Sequence, residues 1–359
     1  MEKALERVTL VGGYPPPYGG VTTHMERLAH KLIADGCRVA VINPYNLGVA
    51  VSSGCVPPRL LLSRPASRLR GLWQLMRALV RESRGAVVHF HMVEGDRFYR
   101  CAPLFLALTR RACKRVLTIH SGGWARAFFK LGPLQRRLAV HSLRAFDDII
   151  CVNASQQRIL EPLVYGRVHV IPAFLPPCPT LEPLPEPLLA FLDSLDHLFV
   201  TSGCGEALYD YETIRYGLEL VRGRIPARIG LVVATYSYWD PGYWPSMAAR
   251  LQSSGVATCI TRGLTPPQFL ALLSQARMYL RASLTDGDSV AIREAALMGV
   301  QVLATDAVPR PPGTALFPAG DACKLAETIL EALANQEIGR LPAESYCDTY
   351  AALLKVYRD

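Results

Sequence analysis

Residues 281–294, RASLTDGDSVAIRE, hold the densest set of chemistry-bearing side chains in the chain. The stretch reads as the end of a buried strand turning through Asp-Gly-Asp-Ser into an amphipathic helix. A strand over 278–280 would deliver this loop to the carboxyl edge of a parallel sheet, where open α/β folds place their ligands. Gly287 and Ser289 would then open a helix whose first N–H groups and positive dipole end attract an anion. Asp286, on the loop, and Glu294, further along the helix, are poor partners for phosphate but good acceptors for sugar hydroxyls. A diphosphate flanked by two polyols describes a nucleotide sugar.

The elements that must position this loop alternate as strand and helix along the whole chain, the pattern of a parallel α/β architecture. In the first half, residues 8–11, 39–42, 87–91, 116–119, 148–152 and 168–171 read as short buried strands. Prolines 172, 176, 177, 179, 183, 185 and 187 then crowd a segment expected to be irregular, a linker. The second half restarts with strands at 198–202, 229–234, 257–261, 278–280 and 300–304. The expected organisation is a Rossmann-like, doubly wound domain over 1–175, a proline-rich linker over 176–195 and a second such domain over 196–342. A final helix, 343–359, would cross back to the first domain, and the two domains would face each other across a cleft.

At 359 residues, half of them apolar, the chain suits two domains with proper cores. Its ten cysteines are scattered, with no CxxC pair and no metal-ligand clustering, which points to reduced thiols and a cytosolic compartment. Residues 1–7 are charged and run straight into a strand, so no cleavable signal is expected there. No apolar run is long enough to span a bilayer. The net charge of +9 hides an asymmetry: residues 1–180 hold 25 Lys/Arg against 10 Asp/Glu, whereas 181–359 hold 14 against 20. A basic half reads as a surface for acidic partners. No nucleic-acid-binding signature accompanies the charge. In 64–84 the arginines interleave with Leu69, Leu72, Trp73, Met76 and Leu79, a basic amphipathic helix that could rest on anionic lipid. The same apolar stripe could equally pack on the protein's own sheet, and the two readings can hold for different faces.

Read together, several segments resemble the large retaining glycosyltransferase family 4, in its bacterial polysaccharide and glycolipid branch, a family of GT-B fold. YPPPYGGVTTHMERLAHKLIADGCRVAV is similar to the family's first strand, glycine loop and first helix. VVHFHM at 87–92 and VLTIHSGGW at 116–124 resemble its fourth strand and its segment of a strand followed by a histidine. VHVIPAF at 168–174 lies where the family has its interdomain strand and proline. LTDGDSVAIREAALMGVQVLATD resembles its paired-carboxylate motif, and SYCDTYAALLKVYRD its terminal helix.

The resemblance implies roles residue by residue. Gly19 and Gly20 would let backbone N–H groups approach donor diphosphate and acceptor. His120 would face the cleft and contact the transferred sugar, while His24, His89 and His91 read as structural, with His24 placed to help an acceptor. Glu294 matches the carboxylate that grips ribose hydroxyls, and Asp286 the one that holds donor-sugar hydroxyls, where the family has glutamate. Asp288 and Ser289 replace the usual Phe-Gly. The family's Arg and Lys at the start of the second domain are missing from TSGCGEALYDYET at 201–213. Arg281 is the best substitute to neutralise the diphosphate, with Arg262, Arg293 and Arg310 behind it.

The implied reaction moves a sugar with retention from a nucleoside-diphosphate sugar, UDP preferred over GDP, to a polyprenyl-diphosphate-linked or other glycan acceptor. It would serve exopolysaccharide or envelope synthesis at the inner face of the membrane. No cofactor is expected, and no metal, because the first domain has no DxD-type aspartate pair. Two rivals stay open: a silent sugar-nucleotide sensor or scaffold of a polysaccharide assembly, and a GT-B nucleotide-sugar epimerase. An NAD-dependent enzyme is disfavoured, since GGYPPPYGG is not a GxGxxG turn. The oligomeric state is not legible.

Overall fold

A computed structural model describes residues 5–52, 67–92, 95–177, 180–236 and 242–359. Two compact units divide it: the first comprises 1–16, 21–175 and 348–359, the second 17–20 and 176–347. Cys55, Cys178 and the start of the basic segment at 64–66 lie outside the described residues. The eight described cysteines are free. Among the described residues no helix is long and apolar enough to cross a membrane.

The first unit runs β1 (Arg7–Val11), α1 (Gly20–Ala34), β2 (Arg38–Asn43), β3 (Gly48–Val51), α2 (Arg68–Glu82), β4 (Val87–Met92), α3 (Gly95–Leu108), β5 (Lys114–Ile119), α4 (Trp124–Phe129), α5 (Pro133–Leu143), β6 (Asp148–Cys151), α6 (Ala154–Leu160) and β7 (Arg167–Val170). The second runs α7 (Glu186–Leu192), β8 (His197–Gly203), α8 (Tyr211–Arg222), β9 (Ile229–Thr235), α9 (Tyr243–Ser253), β10 (Ala257–Arg262), α10 (Pro266–Leu273), β11 (Met278–Arg281), α11 (Val290–Leu297), β12 (Gln301–Thr305), β13 (Ala315–Phe317) and α12 (Ala322–Ala334). The last helix, α13 (Tyr350–Arg358), belongs to the first unit.

The first sheet has the order β3-β2-β1-β4-β5-β6-β7. It is parallel except for β3, which pairs antiparallel with β2 and was too short and glycine-led to read as a strand. The second sheet is wholly parallel, order β10-β9-β8-β11-β12-β13, the doubly wound arrangement in which direction reverses between its first and fourth strands, β8 and β11. In the first sheet the same reversal falls between β1 and β4. Strands this buried, such as β4 with all six residues covered, read as continuous apolar runs because helices lie on both faces. Met25, Leu28 and Leu32 of α1 and Leu353 and Val356 of α13 cover one face of the first sheet. Leu75, Leu79, Trp124, Phe128 and Leu143 cover the other. In the second unit α8, α9 and α12 pack on one face and α7, α10 and α11 on the opposite one.

The segment expected to be an irregular linker contains α7. Pro185 stands at its N-cap and Pro187 in its first turn. Those are positions where the missing N–H costs nothing and the fixed φ suits the helix, so prolines there start a helix instead of breaking one. The chain leaves the second unit at residue 347, not at 343.

Helix α2 carries both faces of its expected pattern. Leu75, Ala78 and Leu79 are buried on the sheet. Leu69, Leu72, Trp73 and Val80 are exposed instead, and Arg77 lies over the Trp73 ring at 5.2 Å. Leu79 therefore belongs to the inward stripe, not to the exposed one.

Candidate functional site

In the second unit β11 ends at the point where the sheet reverses direction, and Arg281 closes it. The guanidinium is 7% exposed and reaches across the reversal: Nη1 donates to the Ser202 carbonyl of β8 at 2.8 Å. Its Nε and Nη2 both donate to Oδ2 of Asp286, at 2.9 Å each. Arg310, from the loop after β12, donates Nη1 to the same Oδ2 at 3.0 Å. Ser283 Oγ adds a fourth contact at 3.2 Å. Arg310 is further locked by the Thr305 carbonyl at 3.0 Å and Ser283 Oγ at 3.0 Å. Two guanidiniums thus converge on one carboxylate beneath the β11–α11 loop.

The electrostatics follow from that count. Burial works to raise the Asp286 carboxyl, yet the Arg281 and Arg310 charges overcome it and hold it below the ordinary carboxylate value. Burial likewise opposes the charge on Arg281, and Asp286 together with Tyr279, Tyr209 and Tyr236 more than offsets it. Guanidinium does not give up its proton in proteins, so the triad carries two positive charges against one negative. One net positive charge remains under the loop.

The pairing bears directly on the roles expected of Arg281, Arg310 and Asp286. The arginines do not stand free for a diphosphate, because Asp286 sits between them and holds both. Asp286 in turn spends Oδ2 on the arginines; only Oδ1 takes no donor from the described residues. Arg293 is committed as well: its Nε donates to both oxygens of Asp288 at 2.9 and 3.0 Å, and Nη1 donates to the Ser345 carbonyl. Asp288 is therefore the salt-bridge partner of the helix that follows it. Arg262 ends the edge strand β10, three strands from β11, roughly 14 Å away at ~4.8 Å per strand. It is not brought to the loop.

Glu294 and Ser289 do meet at α11. Ser289 is the N-cap, in extended conformation, and makes no side-chain cap bond. Gly287 and Asp288 lead into it, so the first turn presents N–H groups that the helix cannot satisfy from within. Glu294 lies one turn into α11 and is 5% exposed, which removes the reading of a solvated helix face.

An aromatic block stands at the end of β8, where the expected Arg/Lys pair is missing. Tyr209 lies over Arg281 at 4.8 Å, stacks on Tyr211 at 6.0 Å between ring centroids, and shares a hydrogen bond of 2.6 Å with Tyr236. A Cβ on Gly203 would meet the Tyr209 ring at 2.4 Å, so the glycine is what admits that ring. Ser202, Ser283, Thr305 and these tyrosines were not legible as site residues, since each acquires its role from a partner on another strand.

Gly20 opens α1 directly after Gly19, and the rest of that helix belongs to the first unit. His120 follows β5 as expected, but its ring is buried, not turned free at the strand end. Its Nε2 shares a hydrogen bond with His91 Nδ1 at 2.9 Å, and His24 packs against both rings. Burial, above all, lowers the pKa of each: His24 to about 4, His91 and His120 well below the ordinary imidazole value. All three are neutral at physiological pH. His89 is structural, bonded to Tyr357 and Thr118 at 2.6 Å each.

Residues 18–176 match the family model of Glycosyltransferase Family 4. No curated protein matches the sequence significantly. Among solved structures, sucrose-phosphate synthase from Thermosynechococcus elongatus is similar over 99% of this chain and 95% of its own, with a TM-score of 0.65 and 16% identity. Anabaena HepE in complex with UDP-glucose is similar over 98% and 95%, with a TM-score of 0.65 and 13% identity. The N-terminal domain of Candida albicans trehalose-6-phosphate phosphatase is similar over 99% and 97%, with a TM-score of 0.66 and 12% identity. At such identities the likeness is one of fold. Residues 18–176 thus match the Glycosyltransferase Family 4 model, and the chain as a whole has a GT-B fold like that of these structures.

Proposed function

We propose that the protein is a retaining glycosyltransferase that takes a nucleoside-diphosphate sugar at the β11–α11 loop and transfers the sugar to a lipid-linked or polysaccharide acceptor. The observation that carries the reading is the conjunction, at the strand reversal of the second sheet, of an N-terminal helix turn, the buried Glu294 and a triad with one net positive charge. The diphosphate would lie against the N–H groups of residues 287–290, held by the α11 dipole and by the field of the Arg281–Asp286–Arg310 triad. Glu294 would accept from ribose hydroxyls and Oδ1 of Asp286 from the donor sugar.

Leaving-group departure builds negative charge on the diphosphate as the sugar becomes cationic, and donors fixed beforehand at that position lower the barrier. The triad supplies fixed positive charge whose reorganisation cost was met in folding. The acceptor's proton would pass to the departing phosphate oxygen on the same face, which yields retention without a protein nucleophile. HepE, whose structure holds UDP-glucose, supports a uridine donor. The exposed Leu69, Leu72, Trp73 and Val80 among the arginines of α2 support a peripheral association with anionic membrane, where a lipid-linked acceptor would be met.

A second reading is favoured by the same triad: with both arginines already paired to Asp286, the site could bind a sugar nucleotide without turning it over. The deciding experiment is a thermal-shift screen against UDP, GDP, ADP, TDP and CMP, with and without magnesium, repeated on Glu294→Ala, together with donor-hydrolysis and transfer assays. A ligand at 100 times its Kd should stabilise by about 2.7 kcal/mol. One nucleoside diphosphate should do so, and Glu294→Ala should abolish the shift. Binding without turnover would establish the silent reading, and no shift with any nucleotide would refute both.

A further inference from the structure

We propose that His24, His91 and His120 form a binding site for one divalent transition-metal ion of the zinc class at the strand reversal of the first sheet. One ring nitrogen from each lies within 4.8 Å of the others, and the three rings come from separate elements: α1, the carboxyl end of β4, and the residue after β5. Zn–N bonds of ~2.0–2.1 Å place tetrahedral ligand nitrogens roughly 3.3 Å apart, so ring rotations of about an ångström would gather them on one ion. The site occupies the same topological position, between β1 and β4, that serves ligand binding in doubly wound sheets.

The plain alternative is a cluster of packed core histidines. It leaves buried ring nitrogens unexplained: with an Ala173 backbone acceptor facing one nitrogen of His24, the other nitrogen of His24 and Nε2 of His91 make no hydrogen bond of ordinary geometry. Buried polar atoms left so cost about 1–3 kcal/mol each. The rings are already in the neutral form that ligates metal, and all-imidazole donors suit zinc, copper or nickel over magnesium or calcium. His89, pinned by Tyr357 and Thr118, lies 4.0 Å from His91 between ring centroids and fixes its floor. Gly12 is the other wall: a Cβ there would meet His91 Cβ at 2.9 Å and Met25 Sδ at 2.7 Å. A cavity of about 280 Å³ bordered by Gly12, Tyr45, Phe90 and His91 offers an entry path and room for a fourth, exchangeable ligand. No residue of the β11–α11 loop takes part, so nucleotide binding there does not depend on this site, whereas a metal would take the place of the sugar and acceptor contacts that the resemblance implies for His120 and His24.

The test uses the full chain without an affinity tag, stripped with chelator and titrated with Zn²⁺, Co²⁺ and Mg²⁺. Expected are one Zn²⁺ per chain, a Co²⁺ absorption band of low-symmetry coordination, and no response to Mg²⁺. His24→Leu and His91→Phe should each weaken binding by at least the ~10–100-fold lost on removing an outer-shell partner, while His141→Gln, on α5 outside the cluster, should leave it unchanged. No stoichiometric uptake, or uptake unaltered by both cluster variants, would overturn the proposal. If either variant does not fold, imidazole ¹⁵N spectra of the wild type decide: Zn²⁺-induced shifts at three histidines support the site, and unshifted resonances overturn it.

Discussion

Replacing Asp286 by Asn tests whether the triad is the internal scaffold of the β11–α11 loop. The carboxylate side chain is 13% exposed, Arg281 8% and Arg310 3%, and N–O distances of 2.9 to 3.0 Å tie all three. Asn keeps the shape but removes the charge, leaving two guanidiniums buried side by side without a counter-ion. Breaking a buried pair in this way costs about 3–5 kcal/mol. For a unit of this size that corresponds to a drop of roughly 6–20 °C in Tm. The sign with pH is fixed by the lowered carboxyl: its contribution is fully present above the ordinary value of 3.8 and is lost as pH falls through the lower folded value. The gap between wild type and variant should therefore be constant near neutrality and close only in strong acid. Calorimetry from pH 8 down to about pH 1 would show it. The double variant Asp286→Asn/Arg310→Met should lose less than the two single changes added, because it removes one of the stranded charges. A loss within about 0.5 kcal/mol at pH 7 would refute the reasoning and return Asp286 and Arg281 to a solvent-facing role.

Gly203→Ala should cost about 1–3 kcal/mol, measured by urea unfolding, because the added methyl meets the Tyr209 ring at 2.4 Å and the Tyr211 hydroxyl at 2.5 Å; unchanged stability would mean that the aromatic block does not pack as described. Arg262→Ala, on the edge strand β10, should leave the Kd for the stabilising nucleotide unaltered in calorimetric titration, and a tenfold rise would place the strand end at the diphosphate after all. Leu69→Ser/Trp73→Ser should reduce sedimentation with phosphatidylserine vesicles at low salt without lowering Tm, since both side chains are exposed, at 83% and 55%. Equal binding would detach α2 from the membrane.

What the sequence determined by itself is the local part of the answer. Runs such as VVHFHM and RVTLV are apolar on both faces and short, so they could only be buried parallel strands. The Asp-Gly-Asp-Ser turn between a strand and a helix marked the start of α11, whereas the burial of Glu294 on that helix is a finding of the structure. Three-residue β13 and the antiparallel β3 carried too little periodicity to be seen. The irregularity expected of the proline-rich segment failed at α7, because proline's effect depends on whether it stands before or inside a helix. Tertiary structure alone decided the charges and the histidines. Arg281, Asp286 and Arg310 are isolated letters until β11 and β12 pair and bring residues 24 positions apart to 3.0 Å. His24, His91 and His120 lie in three different elements, and only the strand order β1-β4-β5 makes them neighbours. Periodicity along a chain encodes which face a residue turns inward. Which other residue it meets there is set by long-range pairing, for which a single sequence contains no local signal.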